Sequence, residues 1–589
     1  MYYTCPAGKF QKDTINNRDR RLADSIQVTQ YAIIIQGFDE ILEATNLSCG
    51  SMKRTFILHP FLFTIYAILA PLARNIDAVG LSAIRTMVIS LFWVILLSIL
   101  FRWIVKDQAK AGLLLSGLVV LFFTYGRLDA LLAQVVAWAG ASLVLLVAFI
   151  FLYSLWSAWV LRKSTRLPSL TNYLNLVGLI LIVFPLYQIL TYSRQETQFE
   201  PLAQEFQQEI WQQSGLAELK AGSGLESQPR PDIYYIILDG YTRTDVLQEL
   251  FGYDNSEFLR ALERRGFYVA RHSRSNYTDT VYSISSSLNM SHVNSLPDYL
   301  RPKMAVNDQK ALQDILSVLV KQNRVRSFLA QQGYEFVNFD SSYDRINIPT
   351  AEHFEKSPDI GRFNPQAAFD LMVLNTTLGK AYFRLRGEEN GPLQSLFDEH
   401  RTRIRYTLAS LPKYAGQAGD YFIYAHIISP HAPYVFGPNG EERNGVDPFT
   451  LLDNPESEEW TPDLYRDQVI YISKMILDTL DQILAQSDTR PIIILQADHS
   501  NRAYDVVGSS SELKMKLLFP ILNAYLLPGL EKDSPVYPTI TPVNSFRLVF
   551  NNYFGTRLDL LDDTSYVLEN RQGQLQFVDA CAEYQACAP

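Results

Sequence analysis

The distribution of apolar residues divides the chain at about Tyr192. Before that point the stretches 56–73, 87–105, 111–126, 131–156 and 172–192 are apolar nearly all round, without the polar stripe of an amphipathic surface helix. Crossing the hydrocarbon core as a helix takes about 20 mostly apolar residues. The pattern therefore predicts a membrane anchor of about five transmembrane helices, the third short and the fourth long enough to tilt.

Beyond Tyr192 the pattern changes twice. From about Arg194 to Arg230 the chain is rich in Gln and Glu, then contains Gly and Ser, which predicts a helical stalk followed by a flexible tether. After Pro231 come short continuous apolar runs at 233–238, 421–428 and 491–496, the signature of central strands covered on both faces by helices. A helical pattern covers 245–265. The run 517–529 reads as one more strand ending in a turn, and 538–555 as a helix capped by Asn544 or Ser545. The fold expected here is an α/β domain with a mostly parallel central sheet. The organisation is an N-terminal segment 1–51, a membrane domain 52–193, a stalk and linker 194–230, a folded domain 231–556 and a C-terminal extension 557–589.

Charge orients the anchor, because Lys and Arg accumulate on the cytoplasmic side. Lys53 and Arg54 precede the first span. Arg102, Lys106 and Lys110 lie around the second inner loop, and Arg162, Lys163 and Arg166 lie between the fourth and fifth spans. An odd number of spans from an inside start places the domain outside the plasma (inner) membrane. Arg74 and Arg85 make the first outer loop an exception, and Arg127 with Asp129 mark the second. The first 51 residues contain no secretory apolar core. Met52, followed at once by a basic pair and a span, reads as the natural start.

With 61 acidic and 52 basic residues the net charge is −9, which argues against nucleic acid as a partner. Cysteine is sparse and shows no zinc-module spacing. Cys581 and Cys587 either close a small loop, if that end faces an oxidising compartment, or stay as two thiols.

Candidate chemistry collects at strand ends. The first run stops on Asp239-Gly240 and the late one on Asp498-His499. Ligands of α/β sheets gather beyond the carboxyl ends of strands, although a lone acid there is ordinarily a helix cap. Two such ends, one with a histidine, point to a metal, since Asp and neutral His both ligate zinc and carboxylate with hydroxyl suits manganese or magnesium. Between them, 275-SNYTDTVYSISSSLNM-290 carries an odd hydroxyl-rich face. It makes sense with Thr278 or Thr280 at a helix N-terminus and Ile284, Leu288 and Met290 facing the core, although capping threonines are common. Finally, 421–428 runs into Ser429-Pro430-His431-Ala432-Pro433, with His426 five residues before His431. A loop histidine is usually just solvated. With 8 histidines in the chain, three near the ends of candidate central strands favour function.

The order Asp239, then Asn276-Tyr277-x-x-Thr280, then His426…Pro430-His431-x-Pro433, then Asp498-His499 resembles the alkaline phosphatase/sulfatase superfamily. With the anchor, the chain from about 52 to 555 looks most like the lipoteichoic acid synthase and phosphoethanolamine transferase branch. The resemblance implies one divalent metal ion (Mn, Zn or Mg) held by Asp239, Thr280, Asp498 and His499. It also implies Thr280 as nucleophile, His431 at the transferred phosphoryl group, and weaker substrate contacts from His426 and Asn276. The substrate implied is a membrane lipid headgroup or a lipid-linked envelope glycopolymer. Three departures stand out: no Cys/Ser-x-Pro-x-Arg motif for sulfate ester hydrolysis, Ser500 where glycine is usual, and no later histidine to complete a second metal. The alternatives are a non-catalytic lipid-sensing or assembly protein on the same fold, and a sulfatase-like ester hydrolase. Ser500 is expected to crowd the metal edge.

Overall fold

The computed structural model describes residues 56–74, 83–135, 141–163, 167–222, 230–303, 309–360, 365–385, 391–443, 462–501, 515, 517–531 and 534–587. The expectations for segment 1–51 and the Met52 start lie outside the described residues.

The membrane half is a bundle of α1 (His59–Arg74), α2 (Ala83–Val105), α3 (Gln108–Val135), α4 (Ala141–Arg162) and α5 (Leu167–Gln213). Among the described residues four helices are long and apolar enough to cross a membrane, and α1 is a shorter apolar helix packed beside them. The first predicted span forms a helix of 16 residues, about 24 Å at 1.5 Å per residue against a core of about 30 Å. The third predicted span is not short. It continues through Arg127 and Asp129 because Asp129 is buried and paired with Lys380 Nζ at 3.1 Å.

The expected stalk is the upper half of α5, a single helix of 47 residues. It is not free-standing. Phe199, Ala203, Phe206, Ile210 and Trp211 are buried in the same core as strand residues Ile233, Tyr235 and Ile237. Trp211 Nε1 and Gln207 Nε2 both donate to Asn289 Oδ1, at 3.2 and 3.1 Å.

The outer domain is built on a seven-stranded sheet of order β2-β7-β6-β1-β5-β3-β4: β1 Ile233–Leu238, β2 Tyr268–Val269, β3 Glu335–Phe339, β4 His353–Glu355, β5 Tyr421–Ile427, β6 Ile492–Gln496 and β7 Asn523–Leu526. The strands β6-β1-β5-β3-β4 pair in parallel and β7 is antiparallel at one side. β1, β5 and β6 are buried along their whole length, as continuous apolar runs require. Their two faces feed two separate cores.

Three local expectations change. The 245–265 pattern is two helices, Thr244–Phe251 and Ser256–Arg264, because Gly252 adopts φ 60° and ends the first. The helix α6 (Thr280–Asn289) is buried on every side rather than on one. Its serines satisfy themselves, with Ser283 Oγ donating to Tyr277 O, Ser285 Oγ to Tyr282 O and Ser287 Oγ to Ser283 O. The late helix Pro542–Tyr553 begins at Thr541, so Asn544 and Ser545 lie inside it. Asn544 instead donates to Leu561 O.

The C-terminal segment forms a hairpin, β8 (Tyr566–Arg571) and β9 (Gln574–Asp579), followed by a small loop that a Cys581–Cys587 disulfide closes. It packs on the turn before α6: Tyr566 N donates to Asn276 O at 2.8 Å, and Tyr277 stacks on Tyr566 with centroids 5.7 Å apart.

Candidate metal centre

Strand pairing brings the acids together. Ile237 lies opposite Gln496 in the parallel β1–β6 ladder, so Asp239 and Asp498 leave adjacent strands side by side. Gly240 turns the chain at φ 70°, a left-handed conformation that glycine accepts without a Cβ clash. Its N–H donates to Asp498 Oδ1 at 3.2 Å, and His499 N–H donates to the same oxygen at 3.0 Å. On the other flank, β5 sets His426 opposite Ile237. The His426 Nε2 reaches Asp239 Oδ2 at 2.9 Å and stands 3.9 Å from Asp498 Oδ2. His499 Nε2 lies 3.4 Å from Asp239 Oδ1 and 3.6 Å from Asp498 Oδ2. The His431 ring is 5.9 Å from that of His499, centroid to centroid.

The imidazoles are oriented from behind. His499 Nδ1 donates to Ser500 O at 2.7 Å and His431 Nδ1 to Ala432 O at 2.8 Å. Each bond fixes the tautomer and leaves Nε2 with a lone pair, the arrangement of metal-ligating histidines. Among the described residues two overlapping groups have ligand atoms within 4.8 Å of one another: Asp239, His431 and His499, and Asp239, His426 and Asp498.

The electrostatics ask for a cation. Asp239 Oδ1 and Asp498 Oδ2 are buried acceptors without a hydrogen-bond partner. Two adjacent buried carboxylates repel each other and are costly to bury unpaired. Burial alone would push the Asp239 carboxyl up, but the neighbouring imidazoles of His431, His426 and His499 together hold it below the usual carboxylate range. Orphaned lone pairs on both acids, with imidazole nitrogens just beyond hydrogen-bonding distance, fit a divalent ion.

The expected residues divide as follows. Asp239, Asp498, His499 and His431 converge. His426, expected as a weak substrate contact, is instead fully buried within the acid cluster. Thr280 is the first residue of α6, behind the N-cap Asp279, whose carboxylate accepts from Val281 N. Burial, and after it the charge of Asp279, raise the pKa of the Tyr343 phenol. Asn276, expected as a weak substrate contact, is buried and bonded within the protein. Its Nδ2 donates to Thr541 Oγ1 and Thr564 O, and its Oδ1 accepts from Val543 N. Ser500, expected to crowd the metal edge, has its hydroxyl tied to Thr242 Oγ1 at 2.6 Å.

Other residues complete the support. The helix α7 of Pro462–Gln486 supplies Gln468, whose Nε2 donates to Pro430 O and His431 O, and whose Oε1 accepts from Val435 N. It also supplies Tyr465, whose hydroxyl donates to Gly240 O at 2.8 Å and accepts from Thr242 N. His400 hydrogen-bonds the Ile428 backbone, and burial holds its pKa down to about 3. A lone Gln or Tyr in a helical pattern carries no sequence signal for such a role.

The fold and site define a membrane-anchored α/β domain with a buried acid–histidine centre at its sheet edge. No protein-family model matches the chain, and no curated protein matches it. Among solved structures it is similar to the C-terminal periplasmic domain of EcEptC from Escherichia coli in complex with Zn. That match has 11% identity and a TM-score of 0.37, covering 61% of this chain and 96% of that one. It is also similar to the C-terminal periplasmic domain of phosphoethanolamine transferase EptC from Campylobacter jejuni (9% identity, TM-score 0.31, 58% and 95% covered). A third is a protein in the alkaline phosphatase superfamily from Vibrio parahaemolyticus (11%, 0.33, 63% and 81%).

Proposed function

We propose that the chain is a membrane-anchored phosphotransferase or phosphodiesterase, dependent on a divalent metal, that acts outside the membrane on a lipid headgroup or lipid-linked polymer. The observation that carries this reading is the pair of buried carboxylate oxygens, Asp239 Oδ1 and Asp498 Oδ2, left without partners beside three imidazoles. Asp239, Asp498 and His499 would hold the ion with His426 beside them, and Thr280 would approach it from the start of α6. When bound, the ion supplies charge neutralisation at the phosphoryl oxygens and lowers the hydroxyl pKa.

The chain's own residues do the rest. The N-terminus of α6 favours negative charge on Thr280 through the helix dipole. Thr280 Oγ attacks phosphorus, its proton passing to solvent, and the bond from phosphorus to the leaving oxygen breaks. His431, held by Gln468, takes up a proton at Nε2 from solvent and gives it to that oxygen, returning to the tautomer whose Nδ1 bonds Ala432 O. An acceptor hydroxyl or water then attacks the phosphorus, the bond from phosphorus to Thr280 Oγ breaks, the acceptor's proton passes to solvent and Thr280 Oγ takes one back, which restores the threonine.

The test is to incubate the full-length protein in lipid with manganese, zinc or magnesium and a labelled phospholipid donor. Label on a peptide spanning Ser275–Met290, lost in Thr280→Ala and kept in Thr278→Ala, is the expected result. Label lost in Thr278→Ala alone would move the nucleophile. A protein that binds lipid but neither metal nor label would be a sensor, not an enzyme.

A further inference from the structure

Arg85, one of the two basic residues that broke the inside-positive pattern, and Asp129 are engaged by the α/β domain. Two short helices, Pro365–Asn375 and Gly379–Leu385, form a hairpin that docks on the membrane bundle. Asp370 accepts from Arg85 Nε at 2.7 Å and also from Arg85 Nη2 and Thr86 Oγ1. Lys380 Nζ meets Asp129, whose side chain is 2% exposed. Phe369 and Val373 are buried with Ile68, Leu72 and Ala83, while Ala381 is buried with Tyr125 and Phe149.

The backbones also join. Gly126 N donates to Thr376 O at 3.0 Å, and Leu378 N donates to Phe122 O at 2.8 Å. These two groups of α3 are the pair one helical turn apart that an uninterrupted helix bonds together. Gly126 is required for the approach, since a Cβ there would collide with the Asn375 carbonyl.

A second mount lies on the other side. α5 runs without a break from the membrane into the domain core and bonds Asn289, the last residue of the helix that begins with Thr280. Buried Arg547 ties Ser214, just past α5, to Met290 O. A domain held at one point swings about it. One held at two is fixed in height and tilt.

Resting on the proposed function, we infer that the 365–385 hairpin is a specificity-determining element. By fixing the site over the bilayer, it favours a phosphodiester carried by a lipid in the same membrane over one dissolved in water. It touches no reacting atom and acts through the placement of the domain.

The experiment compares full-length protein in phospholipid vesicles acting on the vesicle phospholipid and on water-soluble bis(p-nitrophenyl) phosphate. Gly126→Val and Asp370→Arg are expected to lower the lipid reaction at least tenfold and leave the soluble reaction within about twofold. Arg85→Asp with Asp370→Arg should restore the lipid rate, a rescue that general destabilisation does not give. Equal loss of both reactions, no loss of either, or failure of the paired reversal overturns the inference. A native chain inactive on both substrates overturns the functional reading instead. Docking is then judged by a cysteine pair at 129 and 380, whose failure to cross-link in vesicles overturns the hairpin placement.

Discussion

His426 Nε2 lies 2.9 Å from Asp239 Oδ2, inside the sheet rather than at its edge, with both side chains buried. A strand-interior histidine ordinarily reads as core. Here it is placed between the two acids, 3.9 Å from Asp498 Oδ2, and its Nδ1 has no partner. It either donates a proton to Asp239 or, with that proton displaced, ligates.

Replacing His426 by Phe keeps a ring of similar volume and removes the nitrogen. Loss of a ligand or of a group orienting one costs about 10–100-fold in metal affinity or activity. Titration of the His426→Phe protein with zinc or manganese should show that weakening with an unchanged circular dichroism spectrum. Unaltered affinity would return His426 to the core.

Gln468 holds the His431 loop through its amide. Gln468→Leu orphans buried backbone groups at about 1–3 kcal/mol each. Melting temperature and turnover should both fall, while metal content stays at the native level because the acids remain in place. A variant that loses metal as well would show that the His431 loop is part of the ligand set.

Asn276→Ala separates a structural role from a substrate contact. The side chain ties the Thr541 turn and Thr564 to the segment leading to Thr280. The expected result is a lower melting temperature with little change in KM for the phosphodiester. A raised KM at unchanged stability would restore it as a substrate contact.

His400 predicts a pH dependence. Its folded pKa is held at about 3, below the model-peptide 6.5, by burial first and Arg403 second. The depressed value means that the stability it contributes is complete above pH 6.5 and is lost as pH falls from 6.5 toward 3, at about 1.4 kcal/mol per unit. His400→Leu should flatten the melting temperature between pH 6.5 and 5. Parallel curves for the two proteins would contradict this.

The central strands, Asp239 and the Asp498-His499 pair were legible because a buried strand is a continuous apolar run and a strand-end acid interrupts it. Membrane character was legible for the same reason, from apolar residues all round each helix. The partners of Asn276 and Ser500 were not legible, because neighbours in sequence do not reveal that Thr541 and Thr242 are their neighbours in space. His426 was weighted too low because period-2 alternation says which face a strand residue takes, not what stands opposite. The hairpin at 365–385 left one trace, the outer-loop charges Arg85 and Asp129, whose partners lie roughly 250–285 residues away.

The central claim is a divalent metal held by Asp239 and Asp498, and metal content tests it most directly. Full-length native protein, Asp239→Asn and Asp498→Asn would be equilibrated with micromolar zinc or manganese, desalted, and measured by inductively coupled plasma mass spectrometry. The account predicts at least one ion per native chain and essentially none in either variant. A native chain that retains no ion, or variants that retain as much as the native chain, would contradict it.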